Sequence, residues 1–335
     1  MSSRTSGSAL ADPLSIGAVT IPNRVVVAPM AGITNSAFRA RLKLLGAGLV
    51  TTEMVSSYGI TYGDRRTWSY LAFREEERPL AVQIFGDKPD VVAEAVRAVL
   101  AAAASPDIID LNMGCPVRKV IKTGAGAALL ADPARAAEVA RAAVEAAGVV
   151  PVTVKIRSGL RPEQPVAVDL ALRLEQAGVA AVGVHPRAAS QFYGGTADHQ
   201  VTAQVVAAVQ IPVMASGDLF SVAAAHRIRE DTGAAAVMVA RGMLGDPWLV
   251  QRLLEGQDGS PPTVCMAVAE LRALLEAAAR DMGDHRAVRW MRKLVAWYLR
   301  SAGVHGPAAT SLQRIEGVDD LDRALADLAD ASRRP

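Results

Sequence analysis

A complete β–α–β unit can be read in residues 80–112, LAVQIFGDKPDVVAEAVRAVLAAAASPDIIDLN. Apolar runs at 80–85 and 107–112 predict two buried strands, because strands covered on both faces are apolar at nearly every position. The Ala-rich stretch between them, 89–104, carries its charges at helical spacing. It predicts the crossover helix that two parallel strands require.

The same unit recurs along most of the chain. Apolar runs rich in β-branched residues predict eight strands, at 24–29, 49–54, 80–85, 107–112, 151–156, 180–185, 211–216 and 235–240. Each gap between them can hold a right-handed crossover helix. The predicted fold class is therefore α/β, a (β/α)8 TIM barrel followed by a small C-terminal all-helical domain. A doubly wound open sheet is the alternative, although such sheets more often stop at about five or six strands.

Four parts are expected along the chain. Residues 1–13 are predicted to be a disordered N-terminal segment, and 14–253 to form the catalytic barrel with its cofactor site. The stretch 254–263 is rich in Gly, Pro and polar residues and predicts a linker. Residues 264–335 are helical by pattern, with no run typical of a strand, and predict the separate helical domain.

Composition excludes several classes of protein. The 335 residues are 51% hydrophobic with a net charge of +2, which excludes overall disorder and a chain-wide polycation. Two cysteines cannot build a disulfide framework, and no apolar run reaches the roughly 18 residues of a membrane span. Residues 1–8 lack the apolar core of a signal peptide, so a cytoplasmic protein is expected. No set of metal ligands is predicted.

Reactive side chains concentrate where the predicted strands end. The active site of a (β/α)8 barrel lies at the carboxyl ends of its strands. The residues at those ends include Pro29, Met30, Gln83, Asn112, Cys115, Lys155, His185, Arg187, Ser216, Gly217, Asp218, Ala240 and Arg241. Polarity alone would mark only the entry to a loop, but a Lys, a His and a Cys at three separate ends favour a functional site.

The last two strand ends predict an anion site. Gly217 and Gly242 let backbone N–H groups approach a phosphate, and Arg241 supplies a bidentate cation beside them. Barrels often hold a phosphate at this place. Lys155, at the end of another strand, is suited to stabilise negative charge on a bound ring. The alternative is a lysine whose stem covers apolar surface at a strand terminus.

Cys115 lies in the loop after the fourth predicted strand, within the longest gap. A thiol with the ordinary pKa of about 8.5 is mostly protonated at neutral pH and can act as an acid. The alternative for a lone cysteine is a small buried hydrophobe. The basic, Gly-containing stretch 118–126 favours a mobile loop over the site, whereas Cys265 has no such surroundings and is interpreted as structural.

One predicted helix, 286–300, carries a basic stripe on one face. Its members are Arg286, Arg289, Lys293 and Arg300, bordered by Trp290 and Trp297. A basic stripe edged by aromatic residues suits contacts with the phosphates and bases of a nucleic acid. The alternative is a solvated face whose tryptophans complete the core. Acidic residues beyond 315 offset the stripe, so the small net charge conceals it.

The motifs at the strand ends together resemble those of the tRNA-dihydrouridine synthase family. They are APMAGITNSAFR (28–39), TEMVS (52–56), DLNMGCP (110–116), VKIRSG (154–159), His185 and Arg187 followed by QFYGG (191–195), SGD (216–218), and ARG with GDPW (240–248). RKLVAWYL (292–299) is similar to the C-terminal helix of the bacterial B-type branch. The resemblance extends over about residues 14–302.

This resemblance implies an FMN enzyme that reduces the C5–C6 bond of particular uridines in tRNA, with NADPH as the usual electron donor. By the same likeness the flavin site is lined by Pro29, Met30, Gln83, Lys155, His185, Ser216, Gly217, Asp218, Ala240 and Arg241. Cys115 is the acid that protonates C5 after a hydride reaches C6, and Asn112 lies against flavin and base.

The resemblance also implies a monomer that binds tRNA through its helical domain. The residues expected to contact the substrate, besides Asn112, are Arg187, Arg286, Arg289, Lys293 and Trp297. Because a stacked base cannot receive a hydride from a buried flavin, the target uridine must be turned out of the tRNA into the mouth of the barrel.

Three departures from the family pattern are visible. Ser216 stands where Asn is usual, Ala240 where Gly is usual, and PRAA (186–189) where Gly-Arg-Thr-Arg is common. Two alternative functions also stay open at this point. One is an FMN barrel oxidoreductase acting on a free pyrimidine or a dihydroorotate-like small molecule, which would not need the basic helix. The other is an RNA-binding module that has lost its chemistry.

Overall fold

The computed structural model describes residues 8–333. Its strands are β1 (Leu14–Ile16), β2 (Val19–Ile21), β3 (Val25–Val27), β4 (Val50–Thr51), β5 (Val55–Ser56), β6 (Leu80–Phe85), β7 (Ile108–Met113), β8 (Val152–Arg157), β9 (Ala181–His185), β10 (Val213–Ser216) and β11 (Ala236–Val239). Its helices before residue 260 are α1 (Ser36–Leu44), α2 (Ser57–Thr61), α3 (Arg65–Ser69), α4 (Pro89–Leu100), α5 (Arg118–Ile121), α6 (Pro133–Ala147), α7 (Ala167–Gln176), α8 (His199–Ala208), α9 (Val222–Thr232) and α10 (Leu249–Glu255). The later helices are α11 (Val264–Met282), α12 (Asp284–Ser301), α13 (Pro307–Leu312) and α14 (Val318–Arg333).

Strands β3 to β11 form a parallel sheet that closes into a barrel. Neighbours around it are β3, β11, β10, β9, β8, β7, β6 and β4, and β5 also pairs with β6. The last gap is closed by a parallel bridge between Val26 and Leu49, where the Val27 N–H donates to the Leu49 carbonyl at 2.8 Å. The predicted (β/α)8 barrel is confirmed, because a doubly wound sheet would have left two unpaired edges here.

The second barrel strand is shorter than predicted and is interrupted. The prediction placed it at 49–54, whereas the structure has two short segments, β4 and β5, on either side of Thr52. The Gln83 N–H donates to the Thr52 hydroxyl at 3.0 Å instead of to a backbone carbonyl. A side-chain oxygen therefore replaces one bond of the ladder, and regular pairing stops at that point.

Disorder was predicted over 1–13; the described part of that segment, residues 8–13, is instead ordered. Residues 1–7 lie outside the described part, but Leu10 is fully buried and its carbonyl accepts the Arg24 N–H at 2.8 Å. The following β1–β2 hairpin was not predicted. Its Ile16 and Ile21 are fully buried with the first residues of the barrel strands, so the hairpin closes the amino end of the barrel.

The C-terminal helices pack directly on the barrel. Helix α10 continues to Glu255, so irregular chain begins two residues later than the predicted linker of 254–263. Arg41 of α1 forms a 2.5 Å ion pair with Glu270 of α11, whose carboxylate is buried. Buried residues of the barrel layer and of α11, α12 and α14 belong to one continuous hydrophobic cluster. Within residues 8–333, no helix is long and apolar enough to cross a membrane.

Candidate active site

One cavity of about 460 Å³ opens at the carboxyl ends of the barrel strands. This volume lies in the range of about 300–1,000 Å³ that is typical of ligand sites. The residues from the sequence prediction that line it are Pro29, Met30, Gln83, Asn112, Cys115, Lys155, His185, Ser216, Gly217, Asp218, Ala240, Arg241 and Trp297. The structure thus brings together residues from seven different strand ends and from α12.

The cavity is strongly cationic. Lys155, Arg157 and Arg241 line it, and Asp218 is the one acidic residue among its lining. Burial, and next the charge of Arg157, lower the pKa of Lys155 to about 7. Across residues 8–333 the Lys155 ammonium has no hydrogen-bond or ion-pair partner, so a bound anion would raise this pKa and hold the lysine charged.

A tight turn at Gly217 places backbone next to His185. Gly217 has a φ of +113°, and a Cβ there would lie 3.0 Å from the imidazole ring. The glycine therefore satisfies both an unusual backbone conformation and a close approach. Burial, followed by the charges of Lys155 and the nearby arginines, lowers the pKa of His185 to about 2, so this imidazole is neutral at physiological pH.

Arg187 does not line the cavity, which corrects its predicted role as a substrate contact. Its side chain is 2% exposed and forms a bidentate pair with Asp218, at 2.9 and 2.8 Å. The same guanidinium donates to the carbonyls of Gly194 and Gly195 at 3.0 and 2.6 Å. All of its donating nitrogens are therefore used within the protein. Arg187 positions the loops that carry the cavity wall.

An aromatic wall, absent from the sequence prediction, completes the site. The Tyr193 ring stacks on His185 with 6.4 Å between centroids, and the Arg241 guanidinium lies 4.4 Å from the Tyr193 ring centroid. The Phe220 ring centroid lies 5.5 Å from the same guanidinium. Cation–π contacts of this kind fix the orientation of a guanidinium. The QFYGG motif contained Tyr193, but the position of that motif in the sequence did not indicate that the ring would contact His185 and Arg241.

A chain of hydrogen bonds runs across the cavity floor to the cysteine loop. The buried carboxylate of Asp110 accepts from Thr153 and from Gln83, both at 2.6 Å. The Asn112 amide donates to the Gln83 oxygen at 2.9 Å and accepts the backbone N–H of Cys115 at 2.9 Å. Burial raises the pKa of Asp110. Asn112, predicted to lie against flavin and base, therefore also positions the cysteine loop.

The Cys115 thiol is held in its protonated form. Burial raises its pKa, although the Val117 backbone and Arg157 act in the opposite direction. The backbone carbonyl of Cys115 accepts the Ala127 N–H at 3.0 Å, and this bond folds the following loop back over the cysteine. Cys265 lies instead on α11 with its sulfur 3.6 Å from the Ser332 hydroxyl, far from the cavity lining.

The basic helix α12 divides its residues between two environments. Arg286 and Arg289 are exposed, as a surface for RNA requires. Lys293 instead donates to the Gly32 carbonyl at 2.5 Å, and the Gly32 N–H donates to the buried Glu53 carboxylate. Trp297 faces the cavity. Lys293 thus ties α12 to the loop after β3, which the sequence prediction of a substrate contact did not foresee.

Comparison with known proteins settles the family. Residues 26–333 match the family model described as dihydrouridine synthase. This chain belongs to the dihydrouridine synthase family. The resemblance predicted from the motifs is confirmed.

Three relatives of this chain show how far the similarity extends along its length. The chain is 38% identical to tRNA-dihydrouridine synthase B of Pseudomonas aeruginosa, over 85% of this chain and 86% of that protein. It is 38% identical to the protein of the same name from Xanthomonas campestris, over 86% and 87%. A probable tRNA-dihydrouridine synthase 1 of Synechocystis is 36% identical, over 94% and 90%.

Solved structures of other enzymes share the barrel fold of this chain. Morphinone reductase superposes with a TM-score of 0.56 at 16% identity, covering 76% of this chain and 92% of that one. An old yellow enzyme homologue from Zymomonas mobilis gives 0.57 at 15%, covering 74% and 92%. At such low identity these similarities establish the fold alone.

Proposed function

We propose that this chain is a flavin-dependent tRNA-dihydrouridine synthase that reduces the C5–C6 bond of specific uridines in tRNA. The observation that carries the proposal is that one cavity brings together the protonated Cys115 thiol and the unpartnered Lys155 side chain. An acid and a lysine that a bound anion would hold charged suit the addition of a proton and a hydride across a double bond. The names of the relatives support the tRNA substrate.

The cavity fits FMN. Its phosphate would lie at the turn of Gly217 and Gly242, next to Arg241, where a Cβ on Gly242 would collide with the Leu219 carbonyl. Such a turn presents backbone N–H groups to an anion. The departures at Ser216 and Ala240 are compatible with this, because backbone rather than side-chain groups would contact the phosphate. The flavin, when bound and reduced by NADPH, supplies a hydride to C6 of uracil.

The protein's own residues would supply the rest of the chemistry. Cys115 holds at its sulfur the proton that C5 receives, so that two hydrogens are added across C5 and C6. Asn112 holds the backbone of Cys115 in place, and through Gln83 it is anchored to Asp110. Lys155 stabilises negative charge at the floor of the cavity. The remaining predicted cofactor residues, Pro29, Met30, His185 and Asp218, shape the wall around the ring and the phosphate site.

Recognition of tRNA is proposed for the surface formed by α12 and the mouth of the barrel. Arg286 and Arg289 are exposed cations on the helix, and Trp297 of the same helix reaches the cavity. The target uridine would be turned out of its stack to reach a cavity enclosed by the strand ends. In this proposal 264–335 serves as the tRNA-binding domain and 14–253 as the FMN-binding barrel of a cytoplasmic monomer.

The alternative, an FMN barrel oxidoreductase acting on a free pyrimidine or a dihydroorotate-like molecule, is not favoured. The dihydrouridine synthase model matches the C-terminal helices as well as the barrel, since it extends to residue 333. A small-molecule enzyme would have no use for the exposed arginines of α12.

The test combines the purified protein with cellular tRNA. The protein should contain FMN, identified by absorbance and mass, and should convert uridine to dihydrouridine in unmodified tRNA when NADPH is supplied. Deleting the gene should remove dihydrouridine from at least one tRNA position, and the intact gene should restore it. Protein without flavin, together with unchanged tRNA in the deletion strain, would overturn the proposal.

A further inference from the structure

A second cavity, of about 560 Å³, adjoins the active site. Pro116 and Phe192 line both cavities, so these two residues lie at the boundary between them. The walls of the second cavity are mainly apolar side chains from Ile121, Leu160 and a group of alanines. No step of the proposed chemistry uses this space.

The surface around the two cavities is unusually apolar. Five of the eleven large hydrophobic side chains that are exposed in residues 8–333 lie there, namely Val117, Ile121, Phe192, Tyr193 and Phe220. An exposed apolar cluster at a cavity is typical of a surface that another molecule covers. The clustering at the loops of the barrel mouth indicates a partner that also enters the active site.

Phe192 is held in place at the border between the cavities. Its φ of +50° is rare for a residue other than glycine, and its side chain is 50% exposed. The Arg157 guanidinium donates to the Phe192 carbonyl at 2.8 Å and to the Ala188 carbonyl at 3.0 Å, which fixes this conformation. An exposed aromatic ring on a backbone held at a cavity edge is a platform on which an unpaired base can stack.

Two cations stand at the rim of the second cavity. Arg118 and Lys122 both line it and are exposed, and neither has an ion-pair or hydrogen-bonded side-chain partner in the described chain. An apolar slot with unpaired cations at its edge is complementary to a nucleotide, which combines a flat ring with a phosphate.

We infer that this second cavity receives the base of a nucleotide adjacent to the target uridine, with Arg118 and Lys122 on its phosphate. This inference rests on the proposed function. Pro116 directly follows Cys115 and lines both cavities. When the target uridine lies beside the Cys115 thiol, the next nucleotide of the RNA is therefore placed at the adjoining cavity. The adenosine of a dinucleotide donor is a poorer match, because two phosphates and two riboses separate it from its nicotinamide.

The variants Phe192→Ala and Arg118→Ala/Lys122→Ala test the inference. Each should raise the KM for tRNA about tenfold, the loss expected for a stacked base or for two phosphate contacts. For Arg118→Ala/Lys122→Ala, whose side chains lie outside the lining of the active-site cavity, flavin content and the rate of flavin reduction by NADPH without tRNA should stay at the wild-type level. Arg141→Ala, which removes an exposed cation of the outer helix α6, is the matched control and should change neither.

A substrate with one base removed makes the test specific. Two tRNA substrates are compared, one lacking the base 5′ of the modified uridine and one lacking the base 3′ of it. Only one of the two should bind the wild-type protein about tenfold more weakly than intact tRNA. With Phe192→Ala the same removal should have almost no further effect, because the base and the ring interact directly.

The failures of the two proposals are distinguishable. If the wild type reduces no uridine in tRNA, the proposed function is wrong. If the wild type does reduce uridine, the inference is overturned by either of two results. Either the variants keep the wild-type KM for tRNA, or removal of either base weakens tRNA binding as much in the variants as in the wild type. The inference is equally overturned if the variants raise the KM for NADPH alone, since the cavity would then belong to the electron donor.

Discussion

Replacing Arg187 by methionine should destabilise the protein and weaken flavin binding together. The guanidinium is 2% exposed and makes hydrogen bonds to Asp218, Gly194 and Gly195. Methionine keeps an unbranched stem but is shorter than arginine and can donate to none of these oxygens. The carboxylate and the two carbonyls would lose the guanidinium at once, and the loops carrying Tyr193 and Asp218 would be joined more weakly.

The loss of stability in Arg187→Met depends on how far the Asp218 carboxylate is left without a partner. Removing one partner of a buried ion pair costs about 3–5 kcal/mol. The Asp218 side chain is 25% exposed, still accepts the Ala197 N–H at 2.8 Å, and lies 3.6 Å from Arg241. These contacts and solvent offset part of the loss, so a decrease of about 3 kcal/mol in the free energy of unfolding is expected. The Kd for FMN should rise about tenfold, which corresponds to about 1.4 kcal/mol.

Urea denaturation and flavin fluorescence titration measure the two quantities. The matched control is Arg173→Met, which breaks an exposed ion pair with Asp169 on α7 and should cost about 0.5 kcal/mol at most. The double variant Arg187→Met/Asp218→Asn should recover part of the stability, because it removes the uncompensated carboxylate. If Arg187→Met is no less stable than Arg173→Met, the positioning role given to Arg187 is wrong.

Further predictions concern the acid, the RNA surface and the contact between α12 and the barrel. Cys115→Ala should bind FMN and tRNA normally and oxidise NADPH, while uridine reduction falls about 10²–10⁴-fold in a single-turnover assay. Because burial raises the pKa of Cys115 and the protonated thiol is the active form, the wild-type rate should be level through neutral pH. It should decline only above the ordinary thiol range, and a decline centred below pH 8 would contradict this. Arg286→Gln/Arg289→Gln should reduce the slope of log affinity for tRNA against log salt by about 1.5, as titration at several salt concentrations would show. Lys293→Met should leave that slope unchanged and instead raise the Kd for FMN, because its ammonium bonds the Gly32 carbonyl rather than a phosphate.

Local sequence signals predicted much of the fold. Strand β6 has the predicted bounds, and α4 begins at the first residue of the helix predicted over 89–104. Both depend on periodicity and on residues near in sequence, such as Pro89 in the first turn of α4. The interruption at Thr52 depends instead on a hydroxyl that faces another strand, so no local pattern could indicate it.

The cavity lining could also be predicted, because barrel topology brings all carboxyl strand ends to one place. The partners of individual side chains could not. Arg187 and Asp218 are 31 residues apart, and Lys293 and Gly32 are 261 residues apart. A sequence shows that these residues are charged or flexible, but whether an arginine faces a ligand or a buried carboxylate depends on how the closed barrel brings distant loops together.

The continuous core beneath α11, α12 and α14 has a consequence for how this architecture changes over evolutionary time. Gly245 of the barrel leaves no room for a side chain beside the backbone of Trp297, and Glu270 depends on Arg41 for its charge partner. A recombination event that joined these helices to a foreign barrel would bring in mismatched faces and an unpaired buried carboxylate. The two parts are therefore expected to be inherited as a single unit, and new RNA targets to arise by substitution on the outer face of α12 rather than by exchange of whole segments.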